Sequence, residues 1–146
     1  MEDPKITGTA AMLVSSRGEY LLHLRDNIPG IAQPGAWGLL GGGPEPGESP
    51  DDAIVRELRE EAGLTIPGLT PFAVQENTGA DGTEHYVQVY VGRWDGDPDA
   101  LPLTEGVMLR WFPAAMMSRL TMCPGTEKVI RRHQQLVGEG PDGTGG

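Results

Sequence analysis

Three glutamates fall within five residues of one another: Glu57, Glu60 and Glu61. On a helix, residues three and four apart share a face, so these carboxylates would be crowded and would repel one another. Carboxylate oxygens are the hard ligands that Mg²⁺ and Mn²⁺ prefer. The cluster is therefore either a solvated helix face with arginine partners or a site that gathers a divalent cation.

Glycines before the cluster favour the metal-binding interpretation. Gly41, Gly42 and Gly43 come first, and the pair Gly47 and Glu48 follows. Glycine lets the backbone come close to a metal or a phosphate, and a merely polar helix face would require none of it. We therefore predict that the three carboxylates bind Mg²⁺ or Mn²⁺.

The elements that must position this cluster begin with a helix predicted from Pro50 to Ala62. Ser49 is a good N-cap, proline suits the first helical position, and Gly63 is a natural residue just past the helix end. At about 100° per residue, one arc of this helix is apolar. We expect that arc to pack on a sheet and the carboxylates to point to its rim; the arc comprises Ile54, Val55, Leu58 and Ala62.

The stretch from Gly42 to Leu64 reads G-x5-E-x7-R-E-U-x-E-E-x-G-U, where U is a bulky aliphatic residue. This pattern resembles the signature of the Nudix hydrolases. The preceding Trp37-Gly38-Leu39 is also similar to the lead-in of that family, although many members have proline where this chain has Leu40. Weaker similarity at both flanks extends the resemblance to roughly Ala11–Phe112.

The resemblance implies metal-dependent hydrolysis of a phosphoanhydride bond in a nucleoside diphosphate linked to another group. It implies Glu57 and Glu61 as the main ligands of Mg²⁺ or Mn²⁺, Glu60 as a further ligand, and the Gly41 carbonyl as an additional one. Such a reaction depends mostly on positioning and electrostatics, because polyphosphate charge must be spread before water can attack.

Other residues of the signature have supporting roles in this interpretation. Arg56 would pair with Glu60 or Glu48 and would orient carboxylates as part of the catalytic set. Glu48 is then structural, as are Gly42 and Gly63. The general base stays open between Glu57 or Glu60 and, as an outside candidate, Glu105 on a later loop.

Candidate substrate contacts lie outside the signature. Arg25, at the end of a predicted strand, could contact phosphate, and Glu105 matches a glutamate-bearing loop of the family. Trp37, Tyr86 and Tyr90 could stack on a base, or could simply belong to the core.

Only the absence of markers known from subfamilies narrows the choice of substrate. The region Asn77–Gly82 lacks the proline that usually marks the ADP-ribose group, and Tyr86 comes late for the dinucleoside-polyphosphate group. The long motif of the NADH group is not visible. These absences leave a (deoxy)nucleoside triphosphate or a nucleotide sugar.

Length and composition set wider limits. The 146 residues with a net charge of -10 fit one domain whose partner is a small nucleotide and not a nucleic-acid polymer. The polar N-terminus and the lack of eighteen consecutive apolar residues predict a cytoplasmic chain without a membrane partner. Dimers are frequent in the family, so a homodimer is an expected alternative to a monomer.

The remaining pattern predicts an α+β protein with the Nudix fold, a mixed β-sheet sandwiched between α-helices. We expect a single domain over 1–137 and a flexible tail over 138–146. Predicted strands are Ile6–Ser15, Glu19–Arg25, Trp37–Leu40, Phe72–Glu76, His85–Trp94 and Val107–Phe112. Predicted helices after the first are Pro113–Leu120 and Gly125–Val137, the latter with Thr126 as N-cap.

One alternative belongs to another functional class. A Nudix-fold domain can bind or regulate without turnover. Such domains usually show an eroded signature and an attached DNA-binding segment, and neither is visible in this sequence.

Overall fold

The computed structural model describes residues 5–26, 35–78, 82–104, 106–123 and 125–138. In these ranges the strands are β1 Ile6–Val14, β2 Glu19–Leu24, β3 Trp37–Gly38, β4 Leu40–Gly42, β5 Thr70–Thr78, β6 Glu84–Arg93 and β7 Met108–Pro113. The α-helices are α1 Pro50–Ala62 and α2 Thr126–Gly138, and two 3₁₀ segments span Pro98–Ala100 and Ala114–Arg119. Neither described α-helix is long and apolar enough to cross a membrane.

The strands form one mixed sheet in the order β3-β2-β1-β6-β5. β1 pairs parallel with β6 and antiparallel with β2 and β4, while β7 pairs antiparallel with β2. Successive residues of a strand point to opposite faces. In β1, Leu13 packs in one core cluster with Leu58 of α1, and Met12 packs in a second cluster with Ile130 of α2. The predicted fold, a mixed sheet between helices, is confirmed.

Local signals predicted some element boundaries better than others. Helix α1 has the predicted bounds. Strand β5 was predicted only over Phe72–Glu76, but its antiparallel pairing with β6 extends it to Thr70–Thr78, through residues expected in a loop and a turn. The glycine lead-in forms two short strands instead of one, and the predicted helix Pro113–Leu120 is a 3₁₀ segment.

The predicted apolar face of α1 is wrong at Val55, which is 38% exposed. The buried arc is rotated toward the acidic side of the helix, so that Glu61 is only 8% exposed. Hydrophobicity alone predicts a buried face that includes Val55. The contacts of the Glu57 and Glu61 carboxylates with β4 instead go with a buried face that includes Glu61 and leaves Val55 exposed.

The predicted apolar stripe of α2 is also only partly right. Val129 and Ile130 are buried, and the half-buried His133 packs against other aromatic rings, as expected. Leu136 and Val137 are 52% and 59% exposed, because they lie on the last turn of the described helix. Thr126 is the first residue of the helix, where an N-cap was predicted. The tail from residue 139 onward lies outside the described residues, and the domain boundary stays a prediction.

The rotation of α1 gives a test by mutation. Leu58→Ala should lower the free energy of unfolding by about 2–5 kcal/mol, because the side chain is 1% exposed and its loss leaves a cavity. The matched change Val55→Ala, on the same helix, should change it by less than about 0.5 kcal/mol. Chemical denaturation of both variants measures the difference, and equal losses would contradict the observed orientation.

Candidate active site

Helix α1 has well-defined ends. The Asp52 N–H donates to the Ser49 Oγ at 3.1 Å, which caps the first turn. At the other end, Gly63 has a left-handed conformation with φ 67°, and its N–H donates to the Arg59 carbonyl at 3.0 Å. The N-cap and the C-terminal glycine predicted from sequence are therefore confirmed, and they fix where the helix begins and ends.

The glycines beneath α1 are required by close contacts. β4 pairs with β1, with Gly41 opposite Ala10 and Gly42 opposite Thr9. A Cβ at position 41 would lie 2.0 Å from the Thr9 carbonyl oxygen, so the neighbouring strand excludes a side chain. A Cβ at position 42 would lie 2.5–2.7 Å from the carboxylate atoms of Glu57. That carboxylate occupies the space which any other residue would need.

Glu61 lies against the same glycine segment. Its Oε1 accepts a hydrogen bond from the Gly41 N–H at 3.1 Å, and the residue is buried. Glu57 and Glu61 are one helical turn apart, so the helix presents two carboxylates side by side to Gly41–Gly42. The structure thus brings the two predicted main metal ligands to the Gly41–Gly42 backbone, where the N–H of Gly41 is the group that contacts Glu61.

Arg56 holds the acidic groups together. Its Nε and Nη2 bind the two carboxylate oxygens of Glu48, each at 2.9 Å. Its Nη1 donates to Glu57 Oε1 at 3.0 Å and to Glu60 Oε2 at 3.1 Å, and Nη2 also donates to the Gly43 carbonyl at 3.1 Å. The two pairings considered from sequence, with Glu48 and with Glu60, are both present.

Glu48 is the anchor of this arginine. The guanidinium of Arg56, together with the Glu45 N–H that donates to Oε1 at 2.9 Å, lowers the pKa of Glu48 from 4.5 to about 2. The carboxylates of Glu48 and Glu57 in turn raise the pKa of Arg56. Bidentate charge-assisted bonds fix both planes, so Glu48 orients Arg56, and Arg56 in turn orients Glu57 and Glu60.

Sequence reasoning missed the contribution of Thr104. Its N–H donates to the Glu61 carbonyl at 2.9 Å, and its Oγ1 donates to the Glu60 carbonyl at 3.2 Å. These bonds satisfy two carbonyls at the end of α1. No local pattern could reveal them, since the partners are more than forty residues apart. The neighbouring Glu105, proposed as a substrate contact and an alternative base, lies outside the described residues.

The other candidate substrate contacts lie elsewhere. The ring of Trp37 packs edge-on against Phe112, with 4.8 Å between centroids, in the core cluster beneath α2. Arg25 lies just after β2. Burial raises the pKa of the Cys123 thiol, and the positive charge of Arg25 partly offsets that rise. Cys123 in turn donates its N–H to the Trp37 carbonyl. The stacking role suggested for Tyr90 is wrong, because its ring is 2% exposed and its hydroxyl donates to Asp51.

The donor atoms of the site fit a hard divalent ion in their chemistry. They are carboxylate oxygens and peptide carbonyls, which Mg²⁺ and Mn²⁺ prefer. Among the described residues, however, no three acidic, histidine or cysteine side chains already converge as a ligand set. Arg56 Nη1 lies between Glu57 and Glu60 and occupies one oxygen of each. An ion bound to those oxygens would have to replace the arginine there.

Comparison with known proteins decides the family. The sequence profile of the NUDIX domain matches residues 4–133. The chain belongs to the NUDIX family. Among solved structures, this NUDIX protein is similar to a MutT NUDIX hydrolase from Burkholderia pseudomallei, with a TM-score of 0.73, 25% identity and coverage of 89% of this chain and 98% of that one.

Two further relatives bear on this NUDIX protein. The nucleoside triphosphatase NudI of Enterobacter sp. (strain 638) is 40% identical over 85 residues, which cover 54% of this chain and 58% of the relative. This chain therefore aligns with little more than half the length of that relative. The NUDIX domain of Shewanella oneidensis NrtR, solved with ADP ribose, has a TM-score of 0.74, 19% identity and coverage of 93% and 90%, and it shows the shared fold.

The contact between Gly42 and Glu57 predicts a specific energetic coupling. Gly42→Ala should lower the free energy of unfolding by about 1 kcal/mol, because the new methyl group pushes the Glu57 carboxylate away from Arg56. In a Glu57→Ala background the same change should cost less than about half as much, since the overlap is gone. Urea unfolding of the four proteins in this cycle measures the coupling. Equal costs in both backgrounds would mean that Glu57 lies elsewhere.

The lowered pKa of Glu48 predicts how the stability of the protein changes with pH. The ionised carboxylate stabilises the fold above its ordinary pKa of 4.5, and this contribution is lost as the pH falls through about 2. The Tm difference between the wild type and Glu48→Gln should therefore be constant at higher pH and should narrow from about pH 4.5 downward. Thermal unfolding at several pH values measures it, and a gap unchanged at low pH would exclude the proposed pairing.

Proposed function

We propose that this NUDIX protein uses Mg²⁺ or Mn²⁺ to hydrolyse a phosphoanhydride bond in a nucleoside diphosphate linked to another group. The observation that carries the proposal is the placement of two carboxylates, of Glu57 and Glu61, on the Gly41–Gly42 segment. A structural helix face would have no reason to place two carboxylates against glycine backbone, because taking a charged group out of water costs free energy even when it is paired.

The proposed ligands follow from that placement. Glu57 and Glu61 would be the main ligands, Glu60 a further one, and the Gly41 carbonyl an additional backbone ligand. When bound, a divalent ion supplies positive charge that spreads the charge of the polyphosphate and acidifies water. The side chain of Glu57 is 17% exposed and that of Glu60 is 58% exposed, so the two differ in access to solvent.

Two further roles in the proposed reaction, orienting the carboxylates and activating water, fall to other side chains of the same cluster. Arg56 would act as the orienting member of the catalytic set: Glu48 anchors it, and its Nη1 holds Glu57 and Glu60 in place until an ion takes those oxygens. Glu60 is our first choice as the base that takes a proton from the attacking water, because it is the most exposed of the three glutamates. Glu57 and Glu105 stay alternatives for that role.

We propose a nucleoside triphosphate as the substrate class, ahead of a nucleotide sugar. The similar NudI proteins are named as nucleoside triphosphatases, which supports this order. The net charge of -10 favours a small ligand over a nucleic-acid polymer. A cytoplasmic location and the choice between monomer and homodimer stay predictions from the sequence.

Phosphate or pyrophosphate release from a panel of nucleotides tests the proposal. The panel holds the (deoxy)nucleoside triphosphates, nucleotide sugars and ADP-ribose, each with Mg²⁺, with Mn²⁺ and with EDTA. We expect metal-dependent release that is fastest with a triphosphate. No metal-dependent release from any compound would leave a binding domain as the better description.

One variant tests the role of Glu60. Glu60→Gln should lower kcat at least about a hundredfold at saturating Mg²⁺, because the amide cannot accept the proton. The matched control is Glu127→Gln on α2, which also breaks an exposed i,i+4 pair with an arginine and should leave kcat within about twofold. Near-normal turnover of Glu60→Gln would remove this residue from the catalytic set.

A further inference from the structure

A cavity lies on the α2 face of the sheet, at the end of the strands. It has a volume of about 450 Å³, within the range of about 300–1,000 Å³ typical of small-molecule sites. It opens between the last two turns of α2, the turn after β1, and the ends of β5 and β6. The residues that matter to its chemistry are Val14, Tyr20, Val91, Arg93, His133 and Val137.

The cavity is separate from the acidic cluster. Gly42 pairs with Thr9, whereas the cavity begins at Val14, five residues or about 16 Å further along β1. Val14, Tyr20 and Val91 belong to the core cluster beneath α2, and α1 packs on the opposite face of the sheet. A ligand in this cavity would therefore leave Glu57 and Glu61 accessible.

A hydrogen-bond network defines the polar wall. The Gln134 amide donates to the Tyr20 hydroxyl oxygen at 2.8 Å, and that hydroxyl lies 2.6 Å from His133 Nδ1. Burial raises the pKa of Tyr20 and lowers the pKa of His133, so both groups are neutral near pH 7. All groups are satisfied when the phenol donates to Nδ1, which places the imidazole proton on Nε2. His133 thus has an N–H to offer to a ligand.

A cation and an apolar rim complete the cavity. Arg93 is exposed at its edge, and no described residue forms a direct ion pair with it. The nearby Asp95 carboxylate accepts hydrogen bonds from the N–H and Oγ–H of Ser16, at 2.7 and 2.8 Å. These bonds and, to a smaller extent, the charge of Arg93 lower the pKa of Asp95. Val137, at the mouth, is 59% exposed and adds apolar surface to the rim.

We propose that this cavity is a second binding site, which takes a small apolar carboxylic acid. The apolar body would cover Val14, Val91 and Val137, and the carboxylate would accept hydrogen bonds from His133 Nε2 and Arg93. A carboxylate would complement the charge of Arg93, whereas an amine would meet a like charge there, so an acid fits this wall and an amine does not. The site is independent of the hydrolytic reaction and of the metal ion.

Amide chemical-shift titration of the full chain with 2-naphthoate tests this proposal. We expect saturable shifts of the cavity-lining glycines, Gly18, Gly68 and Gly92, with a dissociation constant of about 1 mM, as expected for a fragment of this size. The cation 2-naphthylmethylamine should not shift them. Shifts confined to Gly41 and Gly42, no saturation by about 10 mM, or equal binding of the amine would each overturn the proposal.

Two pairs of variants locate the ligand. Val137→Trp should fill the mouth and weaken binding at least about tenfold, whereas Leu136→Trp, similarly exposed but outside the cavity, should not.

Arg93→Gln should weaken 2-naphthoate binding about fivefold, whereas Arg132→Gln, an exposed arginine elsewhere on α2, should not. All four positions are exposed, so the variants should fold, and identical affinities within either pair would contradict the assignment.

Discussion

The carboxylate of Glu57 rests directly on the backbone of Gly42, and this contact brings the acidic face of α1 against β4. A single methyl group at position 42 would come within 2.5 Å of the carboxylate carbon. Close by, Gly41 has no room for a side chain because Thr9 of β1 lies behind it. The strand and the acidic face of the helix can approach this closely because both positions lack a side chain, and the position of the site follows from that approach.

Arg56 makes that arrangement electrostatically tolerable. The chain carries a net charge of -10, and four glutamates, Glu45, Glu48, Glu57 and Glu60, lie within ion-pair distance of this one guanidinium. Their repulsion would otherwise oppose the docking of α1. The same bonds occupy oxygens that a divalent ion would need. In our proposal Arg56 stabilises the protein when no metal is bound. When the ion binds, Arg56 keeps its bonds to Glu48, and its Nη1 leaves the oxygens of Glu57 and Glu60.

The two faces of the sheet are chemically different. The α1 face carries acidic groups held to glycine backbone, and Thr104 joins a distant loop to the end of that helix. The α2 face carries a neutral network of Tyr20, His133 and Gln134 at the edge of a cavity. Since alternate residues of β1 and β2 feed the two core clusters, the sheet separates these environments while supporting both.

The sequence by itself determined the features that depend on neighbouring residues. Ser49, Pro50 and Gly63 fix the ends of α1, because helix caps act within one turn. The spacing of glycines and glutamates identified the family and the residues that meet at the site. The alternating residues of His85–Trp94 also predicted a strand, and in the structure Tyr90 and Val89 of β6 lie in the two core clusters.

The tertiary structure decided what depends on distant partners. It buried Glu61 and exposed Val55, since the orientation of α1 follows the contact with β4 and not the hydrophobic arc alone. It lengthened β5, because pairing with β6 outweighs local turn propensity. It also brought Thr104 to the end of α1. Contacts between residues twenty or more positions apart leave no periodic trace in the chain, so only the folded molecule shows them.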